Sequence, residues 1–330
     1  MDKNFIVDES YNQKRLDQFL SDKLEETRNQ IAQLIKKGFV KVNNKTTTKN
    51  GLKLKENQII DVELPEVQEI KELTDIDFIN DDKFNITTIY EDDDILVINK
   101  PINLIIHDAP SVNEPTLVDW LKHKGIALST ISAQIRHGIV HRLDKGTSGA
   151  MVIAKTNEAH VKLSEQLQDK SMGRYYIAVI DMPLKDHTII DKPIGRSVNN
   201  RIKMAVNPEG KEAKTAFAKV LQSDDQNYEI ILAKLFTGRT HQIRAHLNFI
   251  NRHIVGDVLY DFKGKLDNIN RIYLHAYSLY LIHPRSGEKM VFKANLPENY
   301  MKFIRDNFTS GEDIENIDQD YITNIFTDFL

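Results

Sequence analysis

An aspartate and an arginine in one short loop are the residues of this sequence best placed to do chemistry. Asp144 is the only acid in the segment 141–149, and Arg142 precedes it by two residues. Apolar residues lie on both sides, at 139–140 and 150–154, and two glycines in the segment permit backbone angles that other residues avoid. The pattern predicts a strand, a tight loop and a second strand. A lone carboxylate on a loop held at both ends is a candidate nucleophile or base.

The common alternative is that Asp144 is a turn residue that hydrogen-bonds its own backbone. A second segment, 235–247, favours chemistry, because strand-like residues are followed there by a glycine turn and a basic, helix-like stretch. The N-terminus of a helix presents free N–H groups and a positive dipole, and Arg239 and Arg244 add two permanent charges. These residues can hold a phosphate or pair with Asp144.

The two segments resemble the signature motifs of the RluA-type family of RNA pseudouridine synthases, which includes the RluC and RluD enzymes of ribosomal RNA. Further motifs match in the same order along the chain: 91–101 (EDDDILVINKP), 173–179 (GRYYIAV), 256–260 (GDVLY), 274–284 (LHAYSLYLIHP), Gly287 and Leu296–Pro297. The resemblance covers about 88–305, and so many ordered motifs make chance an implausible explanation.

The mixed order of strand-like and helical segments favours an α+β fold. The resemblance implies more: a mixed, largely antiparallel central sheet of the pseudouridine synthase type with flanking helices. It also implies conversion of uridine to pseudouridine, in which the C1′–N1 bond breaks, the uracil turns, and a C1′–C5 bond forms. Because this reaction has no net redox change, we expect neither a cofactor nor a metal ion.

The resemblance also assigns roles to residues. Asp144 would be the catalytic carboxylate, acting first either as nucleophile at the sugar or as base at C2′. Arg244 would form the charge-assisted pair that keeps Asp144 ionised and oriented. Tyr176 would stack against the uracil and relay the proton lost from C5, whereas strand alternation sends Tyr175 to the opposite face. Arg142 would fill the gap that the extruded uridine leaves in the RNA stack.

Charge is segregated along the chain although the net charge is only −4. Eleven basic residues against five acids make 14–56 basic, and an excess of ten basic charges marks 95–305. Between them, 66–94 carries eleven acids against two bases, and 306–330 has seven acids and no base. Local fields decide whether a polyanion is attracted, so an RNA partner is compatible with the acidic total.

The basic N-terminal stretch predicts a small α/β unit. Apolar residues at helical spacing indicate two helices, with Thr27 placed to cap the second and Gly38 to end it, before a hairpin that turns at Asn43–Asn44. Four lysines gather around the helix end and the hairpin: Lys36, Lys37, Lys41 and Lys45. The first three are candidate RNA contacts. The unit resembles an S4 RNA-binding domain, although most lysine clusters are solvated surface.

We therefore expect four parts: an S4-like domain (1–64), an acidic linker (65–87), a catalytic domain (88–305) and an acidic tail (306–330) that either packs as a helical turn or frays. The chain has no cysteine and 41% hydrophobic residues, which excludes disulfides and allows a sizeable core. It shows no signal peptide or membrane-length apolar run. A soluble, cytoplasmic, monomeric enzyme is expected.

The substrate is expected to be RNA, and specifically large-subunit ribosomal RNA or a pre-ribosomal particle, because an S4-like module accompanies the catalytic domain. Arg239 joins Arg142 as an expected RNA contact. Two other functions stay open: a noncatalytic RNA-binding or ribosome-assembly protein on the same fold, and an enzyme that hydrolyses a nucleoside bond by similar carboxylate chemistry.

Overall fold

The chain divides into two compact units, Met1–Glu72 and Leu73–Leu330. The computed structural model describes residues 2–24, 28–63, 84–107, 114–126, 128–129, 138–264, 269–309, 311, 314 and 317–327. Within these ranges, no helix is both long enough and apolar enough to cross a membrane.

The first unit packs two helices on a small antiparallel sheet whose strand order is β1-β4-β2-β3. Its elements are β1 (Asp2–Ile6), α1 (Leu16–Leu24), α2 (Arg28–Lys36), β2 (Val40–Val42), β3 (Lys45–Thr46) and β4 (Ile59–Glu63). Gly38 follows α2 with a φ of +82°, and Asn43 and Asn44 turn the hairpin with φ of +49° and +62°. These left-handed angles are the ones that end helices and close two-residue hairpins. The predicted cap Thr27 lies outside the described residues.

The second unit is built on one large sheet. Its strands are β5 (Thr87–Glu91), β6 (Ile95–Lys100), β7 (Ser148–Ala154), β8 (Gly173–Asp181), β9 (Thr188–Asp191), β10 (Ile194–Arg196), β11 (Met204–Val206), β12 (Lys214–Gln222), β13 (Tyr228–Leu235), β14 (Leu274–Ile282) and β15 (Lys289–Lys293). Its α-helices are α3 (Leu117–His123), α4 (Asn157–Asp169), α5 (Gln242–Phe249), α6 (Glu298–Asn307) and α7 (Gln319–Thr327), with a 3-10 turn at Val258–Tyr260.

The sheet follows the order β5-β6-β7-β14-β8-β13-β12-β9, with β15 added alongside β14 and β10-β11 forming a separate hairpin. Every described strand pair is antiparallel except β7 with β14, which is parallel. The expected α+β fold with a mixed, largely antiparallel sheet is thus confirmed. Strands β7 and β8 are buried almost throughout, which explains why they read as continuous apolar runs.

Gly149 makes the single parallel pairing possible. Its φ is +119°, and a Cβ atom there would lie 2.3 Å from the carbonyl oxygen of Ala276 on β14. Only glycine tolerates both that angle and that approach of two backbones. The predicted loop around Asp144 therefore enters β7 at a point where the main chain itself is constrained.

The strand predicted before the Asp144 loop does not form. Ile139 makes a single bridge to Ile153 instead. Strand β7 pairs with β14 only at residues 148–149, and farther along that edge the N–H of Val152 faces the Nε2 atom of His141 at 3.2 Å. The imidazole of His141 thus accepts the hydrogen bond that a neighbouring strand would have accepted from Val152. The apolar residues at 139–140 therefore reflect packing against the core rather than pairing as a strand.

The described residues after 306 pack on the body of the second unit rather than fray. Five apolar residues of this stretch belong to the main core and are at most 6% exposed: Phe308, Ile314, Ile317, Ile322 and Phe326. Helix α7 carries the last two, so the helical alternative for the tail is the observed one. At the other end of the unit, Phe84 also packs in this core, which means that structured chain begins before 88.

Candidate active site

A cleft of about 570 Å³ opens on the second unit at the junction of the Asp144 loop, β8, β13 and α5. It brings together all five predicted site residues of this unit: Arg142, Asp144, Tyr176, Arg239 and Arg244. Their positions in the sequence span about a hundred residues, so the sheet is what assembles them. The lysines predicted to contact RNA lie on the first unit and are described separately below.

Asp144 lies at the cleft with its side chain 17% exposed, and Nη1 of Arg244 donates a hydrogen bond to its Oδ2 at 3.3 Å. The rest of the guanidinium is held by a second carboxylate, that of fully buried Asp257, at 2.6 Å from Nε and 2.8 Å from Nη2. The ring of Tyr260 lies 4.6 Å from the guanidinium carbon. Arg244 is therefore fixed by buried groups and presents one remaining edge to Asp144.

The turn before α5 is shaped by one glutamine. Oε1 of Gln242 accepts hydrogen bonds from the backbone N–H of Arg239 at 2.9 Å and from the hydroxyl of Thr237 at 2.8 Å. Its Nε2 donates to the carbonyl of Lys214 and the hydroxyl of Thr215. The Gly-Arg-Thr turn is thus tied to the neighbouring strand, and α5 begins at a defined place and angle beside the cleft.

His241 caps α5 from a left-handed conformation, with a φ of +54°. Its Nε2 lies 3.8 Å from Oδ2 of Asp144, and its Nδ1 lies 3.0 Å from the hydroxyl of Tyr260. Burial lowers the pKa of His241, so the imidazole is neutral at pH 7. The permanent positive charge beside Asp144 is therefore that of Arg244 rather than that of the histidine.

Tyr176 stands in the middle of β8 and is 4% exposed. Burial raises the pKa of Tyr176, so the phenol keeps its proton at neutral pH while its side chain lines the cleft. Tyr175 packs elsewhere, with its ring centroid 5.7 Å from that of Tyr280 and 5.6 Å from that of Phe326. The alternation of the strand thus separates the two tyrosines as predicted.

The predicted RNA contacts differ in their surroundings. Arg142 and Arg239 are exposed at the cleft, and Nε of Arg239 donates to the carbonyl of Glu212 at 2.8 Å. In the first unit, Lys36 and Lys37 are exposed. The ammonium of Lys41 instead forms an ion pair with Glu63, so it is less available to an anion than the other two.

Lys100 is a buried cation behind the Asp144 loop, and it was not among the predicted site residues. It is 0% exposed, and its Nζ donates to the carbonyls of Pro101 at 2.8 Å and Leu104 at 3.0 Å. Burial lowers the pKa of Lys100 to about 7, although the charge of Asp144 opposes that shift. The lysine anchors the chain after β6 and is near enough to Asp144 for their charges to interact.

One group of the described residues offers metal-ligand atoms within 4.8 Å of one another: Asp92, Asp94 and His283. Arg285 already donates two hydrogen bonds to Asp94, and Oδ1 of Asp92 accepts the N–H groups of residues 94 and 95 at 2.8 Å. None of the three lines the cleft. The cluster joins two hairpins, β5-β6 and β14-β15, and is separate from the candidate active site.

Sequence reasoning missed three residues around Asp144 and Arg244: His241, Asp257 and Tyr260. A signal was available, because 256–260 had been recognised as a motif without a role for its one acid. In the structure that acid is the buried partner of Arg244. Gly256 before it has a φ of +81°, and a Cβ atom there would lie 1.9 Å from the carbonyl oxygen of Arg271, which explains the glycine.

Comparisons with known proteins match both parts of the chain. A family model described as RNA pseudouridylate synthase matches residues 94–249, and an S4 domain model matches 14–60. A protein of Helicobacter pylori strain J99, named as an uncharacterized RNA pseudouridine synthase, is 44% identical over 334 residues, covering 99% of each chain. The ribosomal large subunit pseudouridine synthase D of Haemophilus influenzae is 34% identical over 304 residues, covering 88% of this chain and 90% of its own.

A solved structure supports the fold independently. The human RNA pseudouridylate synthase domain containing 1 superposes with a TM-score of 0.52 at 21% identity, over 67% of this chain and 94% of the human one. At that identity the likeness concerns the fold alone, whereas the bacterial relatives match along nearly the whole length. The chain therefore belongs to the RNA pseudouridine synthase family, with an S4 domain at its N-terminal end.

Proposed function

We propose that this enzyme converts uridine to pseudouridine in large-subunit (23S) ribosomal RNA, with Asp144 as the catalytic carboxylate. The observation that carries the assignment of Asp144 is its hydrogen bond to Arg244, whose guanidinium is itself held by fully buried Asp257. A carboxylate placed at an open cleft and hydrogen-bonded to a fixed cation is suited to act on a polar substrate.

The proposed reaction needs no atom beyond those of the substrate and a proton. Asp144 attacks C1′ of the ribose or removes the proton at C2′, and the C1′–N1 electron pair leaves with the uracil. The uracil turns inside the cleft and forms the C1′–C5 bond. C5 then gives up its proton, N1 gains one, and the carboxylate is released unchanged.

Three further residues have proposed roles in that sequence. Tyr176 stacks against the uracil, and its neutral hydroxyl can relay the C5 proton, accepting it at oxygen while its own proton passes on to N1 of the uracil. Arg244 stabilises the Asp144 carboxylate. Arg142, exposed at the cleft, replaces the extruded base in the RNA stack, because a planar guanidinium fits between bases.

Ribosomal RNA as the substrate is supported by the name of the Haemophilus influenzae relative, a ribosomal large subunit pseudouridine synthase. We propose that 1–64 binds RNA through exposed Lys36 and Lys37, that 65–87 links the two parts, and that 88–305 with the packed segment after 306 performs the chemistry. In this scheme the enzyme acts as a monomer in the cytoplasm, where ribosomal RNA is made, and Arg239 adds an RNA contact at the cleft.

The Asp144→Asn variant tests the catalytic assignment. It preserves the size of the side chain and removes its charge, so we expect RNA binding to persist while pseudouridine formation in transcribed large-subunit RNA is abolished. Wild-type rates in this variant would refute the role of Asp144.

Pseudouridine mapping of ribosomal RNA from cells with and without the protein tests the substrate, since a noncatalytic binding protein would leave the map unchanged. Release of free uracil would indicate hydrolysis instead.

A further inference from the structure

One lysine of the cleft has an unusual set of neighbours. Lys234, at the end of β13, lines the same cleft as Asp144. Within the part of the chain that the structure describes, its ammonium makes neither an ion pair nor a hydrogen bond, and it faces three aromatic rings. The ring centroids lie 5.7 Å away for Tyr175, 5.4 Å for Phe236 and 5.9 Å for Phe326.

An ammonium in that position still lacks an anion. Aromatic faces attract a cation but do not neutralise it or use its N–H donors. Half-burial lowers the pKa of Lys234, which means that its charged form lacks part of the hydration it would have in water. The ammonium of Lys214, which does not line the cleft, lies 5.2 Å from the same Phe236 ring and places a second positive charge around that ring. Both features favour an incoming anion beside Lys234.

The rings of Tyr175, Phe236 and Phe326 form an aromatic cage around the Lys234 ammonium. One wall of this cage comes from the C-terminal segment. Phe326 lies on α7, is 1% exposed, and contacts the ring of Tyr175. Tyr175 lies on β8, and Phe236 directly follows the last residue of β13. A packed aromatic side chain from α7 therefore completes the surroundings of a charged group at the cleft. This gives the segment after 306, acidic in composition, a contact with the substrate site through an apolar residue.

We propose that Lys234 binds a backbone phosphate of the RNA beside the uridine that enters the cleft, and that Phe326 is a positioning residue that holds the ammonium for that contact. The inference rests on the proposed function only in that the occupant of the cleft is RNA. A phosphate contact fixes the register of the strand without reading its sequence, so the effect extends to any uridine-containing single strand.

The test measures RNA binding against salt concentration for full-length protein and five variants, using transcribed large-subunit RNA and an unrelated uridine-containing single strand. Lys234→Met keeps the length of the side chain and removes its charge. We expect it to weaken binding of both RNAs about 5- to 20-fold and to reduce the slope of log affinity against log salt by about 0.7, the value for one phosphate of a single strand. At saturating RNA, Lys234→Met should reach the wild-type kcat. Lys234→Arg should retain most of the wild-type affinity.

The role of Phe326 is tested by a double-mutant cycle. Phe326→Leu keeps apolar volume and removes the ring, so it should weaken binding in the wild-type background and have no further effect when combined with Lys234→Met. Ile322→Val, on the same helix, is the matched control and should bind RNA like wild type. Equal losses from Phe326→Leu in both backgrounds would overturn the positioning role.

Wild-type affinity and salt slope in Lys234→Met would overturn the phosphate contact itself. This outcome is separable from failure of the proposed function. If wild-type protein forms no pseudouridine in large-subunit RNA, the substrate assignment fails, while the binding measurements on both RNAs still decide the role of Lys234.

Discussion

Arg244 donates two hydrogen bonds to Asp257, from Nε at 2.6 Å and from Nη2 at 2.8 Å. This pairing occupies one edge of the guanidinium with a fully buried carboxylate and aims the remaining nitrogen at Asp144. The orientation of the candidate catalytic acid thus depends on a second acid that does not line the cleft.

Asp257→Asn should therefore lower kcat while leaving KM for RNA nearly unchanged. The amide cannot accept both guanidinium bonds, so Arg244 is left as an incompletely compensated buried charge, which costs about 3 kcal/mol of unfolding free energy. Single-turnover kinetics and urea unfolding measure the two effects. Asp261→Asn is the control, because that acid forms a half-exposed ion pair with Lys203, and it should change neither. An unchanged kcat in Asp257→Asn would contradict the positioning role.

Tyr176→Phe separates stacking from proton transfer. The ring that lines the cleft remains, so RNA affinity should stay near that of wild type, while loss of the hydroxyl should lower kcat by about 100-fold if it relays the C5 proton. Tyr175→Phe on the same strand is the matched control, and its kcat should not change because that side chain packs against Tyr280 and Phe326. Full activity of Tyr176→Phe would restrict Tyr176 to stacking.

Lys100 predicts a specific dependence of stability on pH. Burial lowers its pKa in the folded protein to about 7, below the ordinary 10.5. Between these values the unfolded chain binds a proton that the folded chain does not, so raising the pH favours folding. From pH 7 to 9 this group should add about 2 kcal/mol to the unfolding free energy. Lys100→Met should lack that increment, and equal pH slopes for variant and wild type in urea unfolding would refute it.

Alanine substitutions at two glycines distinguish the free-energy cost of a strained backbone angle from the cost of a steric clash. Gly149→Ala places a methyl group 2.3 Å from a backbone oxygen of β14 at a φ of +119°, and we expect it to cost more than about 3 kcal/mol. Gly287→Ala also adopts a positive φ, of +74°, but has no atom within 4 Å of the new methyl, so its cost should be about 1 kcal/mol. Thermal and urea unfolding compare them, and equal costs would show that the close approach of β7 and β14 is dispensable.

Local patterns predicted many of the elements. The caps and turns of the first unit follow from residues whose preferred angles are intrinsic, such as Gly38 and Asn43–Asn44. Strand β7 and helix α5 also lie where the apolar run at 150–154 and the helix-like stretch within 235–247 predicted them. The mixed sheet came from the resemblance, because periodicity carries no information about which strands are neighbours.

The partners of the site residues were harder to predict. The ion pair of Arg244 with Asp257 joins a helix to the turn that follows it, and the residue spacing does not say which of two acids an arginine will face. The strand expected at 139–140 was wrong because burial, rather than pairing, explains its apolar residues. Phe326 reaches Lys234 only through the tertiary fold, and nothing in the local sequence of α7 indicates a charged neighbour.

The parallel pairing of β7 and β14 also has a kinetic consequence. Ser148 and His275, neighbours in the sheet, are 127 residues apart in the chain. Contacts of such separation form late, since the entropy of closing a long loop must be met before the pairing stabilises anything. Until β14 arrives, Ser148 and Gly149 at the start of β7 lack their partners on that side. The strand that leads directly out of the Asp144 loop should thus be completed late in refolding.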